Sequence, residues 1–294
     1  MKVMVIGGAG MLGHQMFLKL QDAFGPEAVG CTLRKSRDHY KKFGLFSKGS
    51  VYDRTDVTDF AHLQEVLSTF RPTAIVNCVG LTLRKPELGD FERCLEVNAM
   101  VPHWLAKWGE QNKARVIHFS TDCVFDGQKG NYRESDLPTA KDLYGRSKFL
   151  GEILYPNSLT FRLSIVGREL EAKTELIEWF LSQKGKTVKG YSQVRYSGLT
   201  TNTVADEVVK ILKDFPKLHG VYQVSSEPIS KFELLQILNE VYQTKTEIQP
   251  FADYVSDKTL NCDLYSKATG FKRPGWREML MRMKQEERVQ YDEC

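Results

Sequence analysis

Along the first half of the chain, short apolar runs alternate with longer stretches whose apolar residues recur at helical spacing. Lys2 to Ile6 (K-V-M-V-I) runs into a glycine cluster, and Met11 to Phe24 follows with Met11, Leu12, Met16, Leu18 and Leu20 on a helical repeat. Ala28–Leu33 and the brief Val51–Tyr52 read as strands, Asp59–Phe70 as a helix, and Ala74–Val79 (A-I-V-N-C-V) as a strand buried on both faces. A long helix is predicted over Phe91–Gln111, a strand over Val116–Ser120, a helix over Leu143–Ile153 and a closing strand over Ser158–Ile165. Continuous apolar strands alternating with amphipathic helices predict a parallel sheet covered on both faces, with right-handed crossovers.

After about Val166 the rhythm changes. Helices are predicted over Glu175–Gln183, Thr203–Phe215 and Lys231–Tyr242, with a short strand at Val221–Val224, a Gly, Ser, Lys and Tyr-rich stretch over Gly185–Gly198, and prolines at Pro250 and Pro274. The reading is a first domain over 1–166 and a smaller α/β domain over 167–294, sharing a cleft, with a helix from about 200–215 packing back on the first. A chain of 294 residues with 41% hydrophobic and 27% charged residues has ordinary globular usage, which excludes a disordered or collagen-like protein. The formal charge of +4 (41 Lys and Arg against 37 Asp and Glu) gives no reason to expect a nucleic-acid partner, yet allows a local basic pocket. Cys31, Cys78, Cys94, Cys123, Cys262 and Cys294 make no CxxC pair and lack zinc-like spacing, so free thiols in a reducing cytosol are expected. No leader pattern and no apolar run of the ~18 residues a span needs are evident, so a cytoplasmic protein without a membrane partner is expected.

The first strand ends in Gly7-Gly8-Ala9-Gly10-Met11-Leu12-Gly13, a G-x-x-G-x-x-G pattern ahead of a helix. Gly7 allows the tight turn, Gly10 lets backbone approach a pyrophosphate, and Gly13 lets helix and sheet pack closely. The helix start adds N–H groups and a positive dipole end for phosphate. This context, rather than the glycines alone, predicts a Rossmann-type doubly wound parallel sheet that binds a dinucleotide, with the smaller domain taking the substrate. Folds that prefer NADH place an acid at the tip of the second strand, ~20 residues on. Here the tip carries Arg34-Lys35, which can grip a 2′-phosphate. NADPH is therefore favoured, with NADH open; a merely solvated basic loop is the plainer alternative.

Tyr144-Gly145-Arg146-Ser147-Lys148 puts a tyrosine and a lysine four apart on one helical face. An ammonium beside a phenol favours the phenolate, making Tyr144 a usable proton donor near neutral pH. Ser120-Thr121-Asp122-Cys123-Val124-Phe125-Asp126-Gly127 stands upstream at a strand's C-terminal end, where open α/β sheets place their sites.

Together with Asp56-Val57-Thr58-Asp59, Asn77-Cys78-Val79-Gly80 and Val97-Asn98, these motifs resemble, in order, the extended short-chain dehydrogenase/reductase family. The dTDP-4-dehydrorhamnose reductase branch is the most similar, through Ser120-Thr121-Asp122, Val124-Phe125-Asp126-Gly127, Gly198-Leu199-Thr200-Thr201 and Gly270-Phe271-Lys272-Arg273-Pro274. The resemblance covers nearly the whole chain. It implies reduction of a 4-keto group on a nucleotide-activated 6-deoxysugar, a step in making cell-surface polysaccharide precursors. Thr121 would hydrogen-bond the keto oxygen, Tyr144 would protonate it, and Lys148 would hold the nicotinamide ribose and lower the Tyr144 pKa. Gly7, Gly10, Met11, Leu12 and Gly13 would line the pyrophosphate, Asp56 and Val57 the adenine, and Cys78, Val79 and Gly80 the underside of the cofactor. Asp122, Cys123 and Val124 would face the sugar.

Two positions depart from the branch: Cys123 stands where an aromatic residue is usual, and Ile165 where a tryptophan is usual. Both would touch the sugar, so a UDP-linked N-acetylated 4-keto-6-deoxysugar is the alternative substrate. A nucleotide-sugar epimerase and a non-catalytic dinucleotide-binding regulatory subunit are the alternative functions. Arg84 and Trp179 are further substrate candidates, and Asn98 is expected to support the site. A monomer or homodimer fits equally, and no motif establishes the Mg²⁺ site that some rhamnose reductases carry.

Overall fold

The computed structural model describes residues 1–82, 89–289 and 291. Six strands come from the first half: β1 (Val3–Ile6), β2 (Val29–Thr32), β3 (Ser50–Tyr52), β4 (Ala74–Asn77), β5 (Arg115–Thr121) and β6 (Ser158–Leu163). The helices between them are α1 (Met11–Phe24), α2 (Phe60–Phe70), α3 (Phe91–Leu95), α4 (Val101–Gln111) and α5 (Leu143–Leu150). The second half supplies β7 (Ile165–Val166), α6 (Leu176–Leu181), β8 (Thr187–Tyr191), β9 (Val194–Tyr196), β10 (Leu199–Thr200), α7 (Thr201–Asp214) and β11 (Gly220–Gln223). It continues with β12 (Ile229–Ser230), α8 (Lys231–Tyr242), β13 (Glu247–Phe251), β14 (Ser256–Asp257), α9 (Asp263–Thr269) and α10 (Trp276–Gln285).

Seven strands form one parallel sheet in the order β3-β2-β1-β4-β5-β6-β11. Strand alternation explains why both faces must be covered. In β1, Val3 and Val5 enter the core shared with Leu12, Met16, Phe17 and Leu20 of α1, whereas Met4 and Ile6 enter the core shared with Leu63 and Leu67 of α2 and Leu105 of α4. These are the two layers of a Rossmann-like α/β fold. The sheet's strands all end on the side where the glycine loop and Thr121 lie.

Three features go beyond the sequence reading. Ser158–Ile165 supplies β6, as expected, but the sheet extends past it: β11 adds outside β6, with Tyr222 opposite Phe161. The strand itself is expected at Val221–Val224; its place in the main sheet comes only from its pairing with β6. The long helix over Phe91–Gln111 is instead α3 and α4 joined by a π-helical turn at Glu96–Met100. The Gly, Ser, Lys and Tyr-rich stretch folds into β8 and β9. β8 pairs with β13, and β9 lies between β12 and β14 in a small sheet. α7 lies on the α1 side of the large sheet, with Val204, Val208 and Ile211 in the same core as Phe17.

Candidate active site

At the glycine loop, Gly7 turns out of β1 at φ +83°, and Gly10 N–H closes the turn on Gly7 O at 3.1 Å. A Cβ on Gly13 would sit 2.0 Å from Gly7 O, so the helix could not approach the loop with any side chain there. A Cβ on Gly10 would meet only Gly7 O, at 3.5 Å, so the loop's outer face is open. Gly10 starts α1 without a capping side chain, and no acid follows in the first turn. α2, α3, α5, α7 and α8 are each capped by a side chain, from Asp59, Asp90, Asp142, Thr200 and Ser230, whereas α4, α6, α9 and α10, like α1, are not. An uncapped helix start behind an open glycine loop suits a phosphate. The residues present thus fit a dinucleotide, with Met11, Leu12 and Gly13 offering main-chain N–H groups.

Arg34 is exposed just past β2. Its neighbour Lys35 donates to the Glu171 carboxylate at 2.8 Å, and His39 bonds the same oxygen. Asp56 accepts Arg93 at 2.9 and 2.7 Å and Thr58 N–H at 3.0 Å. Burial pushes the Asp56 carboxyl up, but these hydrogen bonds outweigh it and hold it below its ordinary value. The acid expected at the adenine is therefore already engaged by Arg93, beside a buried Val57.

Cys78, Val79 and Gly80 follow β4 directly. Cys78 N–H donates to Ile6 O at 3.0 Å, and Val79 lies against Gly7. Asn98, in the π-turn, accepts Leu81 N–H at 2.8 Å, donates to Leu81 O at 3.0 Å and donates to Ser147 at 3.1 Å. One side chain thereby ties the segment after β4 to α5.

β5 ends at Thr121, whose hydroxyl accepts Cys123 N–H at 3.1 Å and so shapes the turn Asp122–Val124. Asp142 caps α5 through Gly145 N–H at 2.8 Å. A Cβ at Gly145 would lie 2.2 Å from Cys123 O, so only glycine lets α5 reach this turn. That approach brings the Tyr144 side chain up to Thr121. Lys148 follows one turn later. Its ammonium donates to Phe119 O at 2.6 Å, and a Cβ on Gly80 would lie 3.6 Å from Nζ. Thr121, Tyr144, Lys148 and Gly80 are thus brought together.

The electrostatics correct one expectation. The resemblance implies that Lys148 lowers the Tyr144 pKa; in the structure burial is the largest influence on the phenol and raises it. The physical reason is that burial strips the phenolate of water, while the Lys148 ammonium is turned to the Phe119 carbonyl. Burial also lowers Lys148 itself to about 8, against a raising pull from Glu152. Glu152 is held under the site by Ser120 at 2.7 Å and by Arg162 at 2.9 and 2.7 Å.

Of the other predicted residues, Val124 is fully buried with Phe125, Tyr132 and Leu260. Trp179 is half-buried beside Phe180, one turn beyond Glu175. Arg84 lies outside the described residues. Sequence reasoning missed four residues around the turn. Glu175 accepts Thr82 at 3.0 Å and its charge reaches Tyr144. The charges of both Lys258 and Lys231 act on the buried Asp122, and that of Lys258 also on the Cys123 thiol. Burial raises the Asp122 carboxyl, and those two ammoniums oppose the rise. The Lys231 ammonium sits over the Tyr196 ring, 3.7 Å from its centroid. No spacing rule links positions 196, 231 and 258 to 122; only the small sheet β12-β9-β14 does.

The seven-stranded parallel sheet with this loop and site defines a Rossmann-like α/β protein. Residues 1–289 match the family described as the RmlD substrate binding domain, and the chain belongs to that family. Methionine adenosyltransferase 2 subunit beta of Danio rerio is 26% identical over 247 residues, covering 79% of this chain and 71% of that protein. A dTDP-4-dehydrorhamnose reductase from Bacillus anthracis, solved in complex with NADP, is 21% identical; it has a TM-score of 0.79 over 97% of this chain and 100% of that chain. The Bordetella bronchiseptica enzyme WbmG, solved with NAD and UDP, is 18% identical, with a TM-score of 0.78 over 97% of this chain and 94% of that chain.

Proposed function

We propose that this protein is an NADPH-dependent reductase of short-chain dehydrogenase/reductase type. It acts on the 4-keto group of a nucleotide-activated 6-deoxysugar, as a dTDP-4-dehydrorhamnose reductase does, and works in the cytoplasm as a monomer or homodimer. The observation that carries this reading is the approach of Tyr144 to Thr121, made by α5 through Gly145, with Lys148 one helical turn away beside Gly80. Gly7, Gly10, Met11, Leu12 and Gly13 would hold the pyrophosphate, Arg34 the 2′-phosphate, and Cys78, Val79 and Gly80 the nicotinamide side. The bound dinucleotide supplies the hydride. Thr121 Oγ1 orients the keto oxygen, and Tyr144 Oη delivers the proton that the forming alkoxide requires. A phenol kept protonated by burial stays loaded as an acid across the neutral range. Lys148 Nζ donates toward the ribose.

Similarity to the adenosyltransferase beta subunits favours a second reading, a dinucleotide-binding subunit without chemistry of its own. The complete Thr121, Tyr144 and Lys148 set stands against it. An epimerase would return its cofactor unchanged, so the decisive experiment presents dTDP- and UDP-linked 4-keto-6-deoxysugars to the protein and follows NADPH. Stoichiometric oxidation is expected. Tight NADPH binding with no oxidation by any of these sugars would favour the subunit reading.

A further inference from the structure

Asp56 follows β3 and Arg93 lies in α3, which comes after β4; β2 and β1 stand between those two strands in the sheet. The two side chains nevertheless meet in a forked ion pair. Arg93 Nη2 donates to both carboxylate oxygens, at 2.9 Å to Oδ1 and 2.7 Å to Oδ2, and Arg93 Nη1 donates to the Thr58 hydroxyl. The Thr58 main-chain N–H and hydroxyl donate in turn to Asp56 Oδ1, at 3.0 and 2.9 Å. Both partners are anchored from behind. Val57 and Cys94, the residues that follow them, pack in one apolar core with Leu81 and Val97. Asp90 fixes the start of α3 by accepting the Arg93 main-chain N–H at 3.0 Å.

This hold leaves one acceptor position open. A carboxylate has about four lone-pair sites on its two oxygens. Oδ1 takes three donors, whereas Oδ2 takes Arg93 alone among the described residues. The Asp56 side chain is 45% exposed, so a ligand can reach the carboxylate from solvent. The guanidinium already balances its charge, so the open position suits a neutral N–H donor rather than a second cation. The strand ends say what would bring one. Thr55 N–H donates to Leu33 O at 2.9 Å, which ties the exit of β3 to the exit of β2, where Arg34 stands. A dinucleotide with its pyrophosphate at the glycine loop and its 2′-phosphate at Arg34 has its adenosine ribose at the exit of β2. The base on that ribose then falls beside Asp56.

We propose that Arg93 is the positioning residue for the base: it holds Asp56 so that Oδ2 accepts the exocyclic amine of adenine, and the protein thereby selects an amino-purine over an oxo-purine. The inference rests on the dinucleotide part of the reading above and is independent of the sugar. Arg93 acts through Asp56 and has no part in hydride or proton transfer. An oxo-purine sets a carbonyl against the carboxylate, acceptor against acceptor, and loses the bond.

The test compares NADPH with nicotinamide hypoxanthine dinucleotide phosphate in its reduced form, whose base carries a carbonyl where adenine carries the amine. Both are titrated into the full chain by fluorescence, for the wild type, Arg93→Met, Arg93→Lys and Asp56→Ala. The wild type is expected to prefer NADPH by about tenfold or more, as one hydrogen bond to a charged acceptor allows. Arg93→Met and Asp56→Ala are each expected to lose most of that preference. Arg93→Lys keeps the charge without the fork and should retain part of it; it carries the same comparison if Arg93→Met does not fold. Adding Arg93→Met to Asp56→Ala should leave the ratio where Asp56→Ala put it, because nothing remains to be positioned. A pair that only braces the fold would weaken both dinucleotides equally, and an equal loss in the Arg93 variants overturns the assignment. A wild type that binds the two dinucleotides alike overturns it as well, while leaving the dinucleotide site intact. A wild type that binds neither overturns the dinucleotide reading, and this inference with it.

Discussion

The Lys148 ammonium donates to the main-chain carbonyl of Phe119 at 2.6 Å, on the strand that ends in Thr121. Burial brings its pKa to about 8 from an ordinary 10.5. If this ammonium holds the ribose, NADPH affinity should decline as pH rises through about 8, because the charged donor is lost. Lys148→Met should bind NADPH more weakly and with a flat profile. Fold stability runs the other way. The charged form is disfavoured in the fold, so stability should increase between about pH 8 and 10.5, by about 3 kcal/mol for this group. Dissociation constants measured from pH 6.5 to 9.5 check the first claim; a wild-type constant that does not change with pH would count against the role given to Lys148.

Tyr144→Phe removes the hydroxyl that meets Thr121 and keeps the ring. General acid catalysis is worth about 10²–10⁴-fold. The loss should fall on kcat, with NADPH affinity nearly unchanged. Steady-state kinetics with a 4-keto nucleotide sugar decides it, and a wild-type rate in this variant would end the proposed mechanism.

The glycine loop, Thr121 and the Tyr144–Lys148 pair could be read from the sequence because each is local. A strand, a turn and a helix follow one another within a few residues, and one helical turn sets the Tyr–Lys spacing. The electrostatic outcome was not local. Whether Lys148 lowers the Tyr144 pKa depends on burial and on where the ammonium points, and the Phe119 carbonyl lies 29 residues away. The wall formed by Tyr196, Lys231 and Lys258 was equally hidden, because strands of two or three residues carry no periodic signal. β11 was legible as a strand but not as the seventh of the main sheet, since only its register with β6 gives it that place. The break in the long helix escaped because helical residues run from α3 through the π-turn into α4 without interruption.

Cofactor choice turns on the tip of β2. Arg34→Ala should weaken NADPH about tenfold or more and NADH little, since only the former carries a 2′-phosphate for the guanidinium. Glu171 adds a second, opposite test. Its carboxylate occupies Lys35 and His39 beside Arg34. Glu171→Gln removes a negative charge and loosens Lys35, so NADPH should bind more tightly while NADH is unaffected. Parallel titrations of the two cofactors check both variants; equal changes for NADPH and NADH would show that this corner does not read the 2′-phosphate.

The head of α1 is tied to the end of the described chain, and that tie sets an acid limit on stability. His14 Nδ1 donates to Gly10 O at 2.8 Å, which leaves Nε2 as the acceptor of the neutral ring; Tyr291 fills it at 2.9 Å, and Gln15 donates to the same hydroxyl at 3.0 Å. The Arg168 guanidinium covers the Tyr291 ring at 4.3 Å. Burial lowers the His14 pKa to about 4 from 6.5. A folded pKa below the unfolded one means that the unfolded chain binds the extra proton first. The contribution is therefore whole above about pH 6.5 and is lost progressively as pH falls through 4, amounting to about 3 kcal/mol. Tyr291→Phe removes the shorter of the two contacts to Nε2, leaving the Gln15 amide at 3.2 Å, and should destabilise the fold by about 1 kcal/mol at neutral pH. His14→Gln should lessen the loss of stability between pH 6.5 and 4.5 relative to the wild type. Urea midpoints across that range measure both effects, and an unchanged acid dependence in His14→Gln would show that the titrating group lies elsewhere.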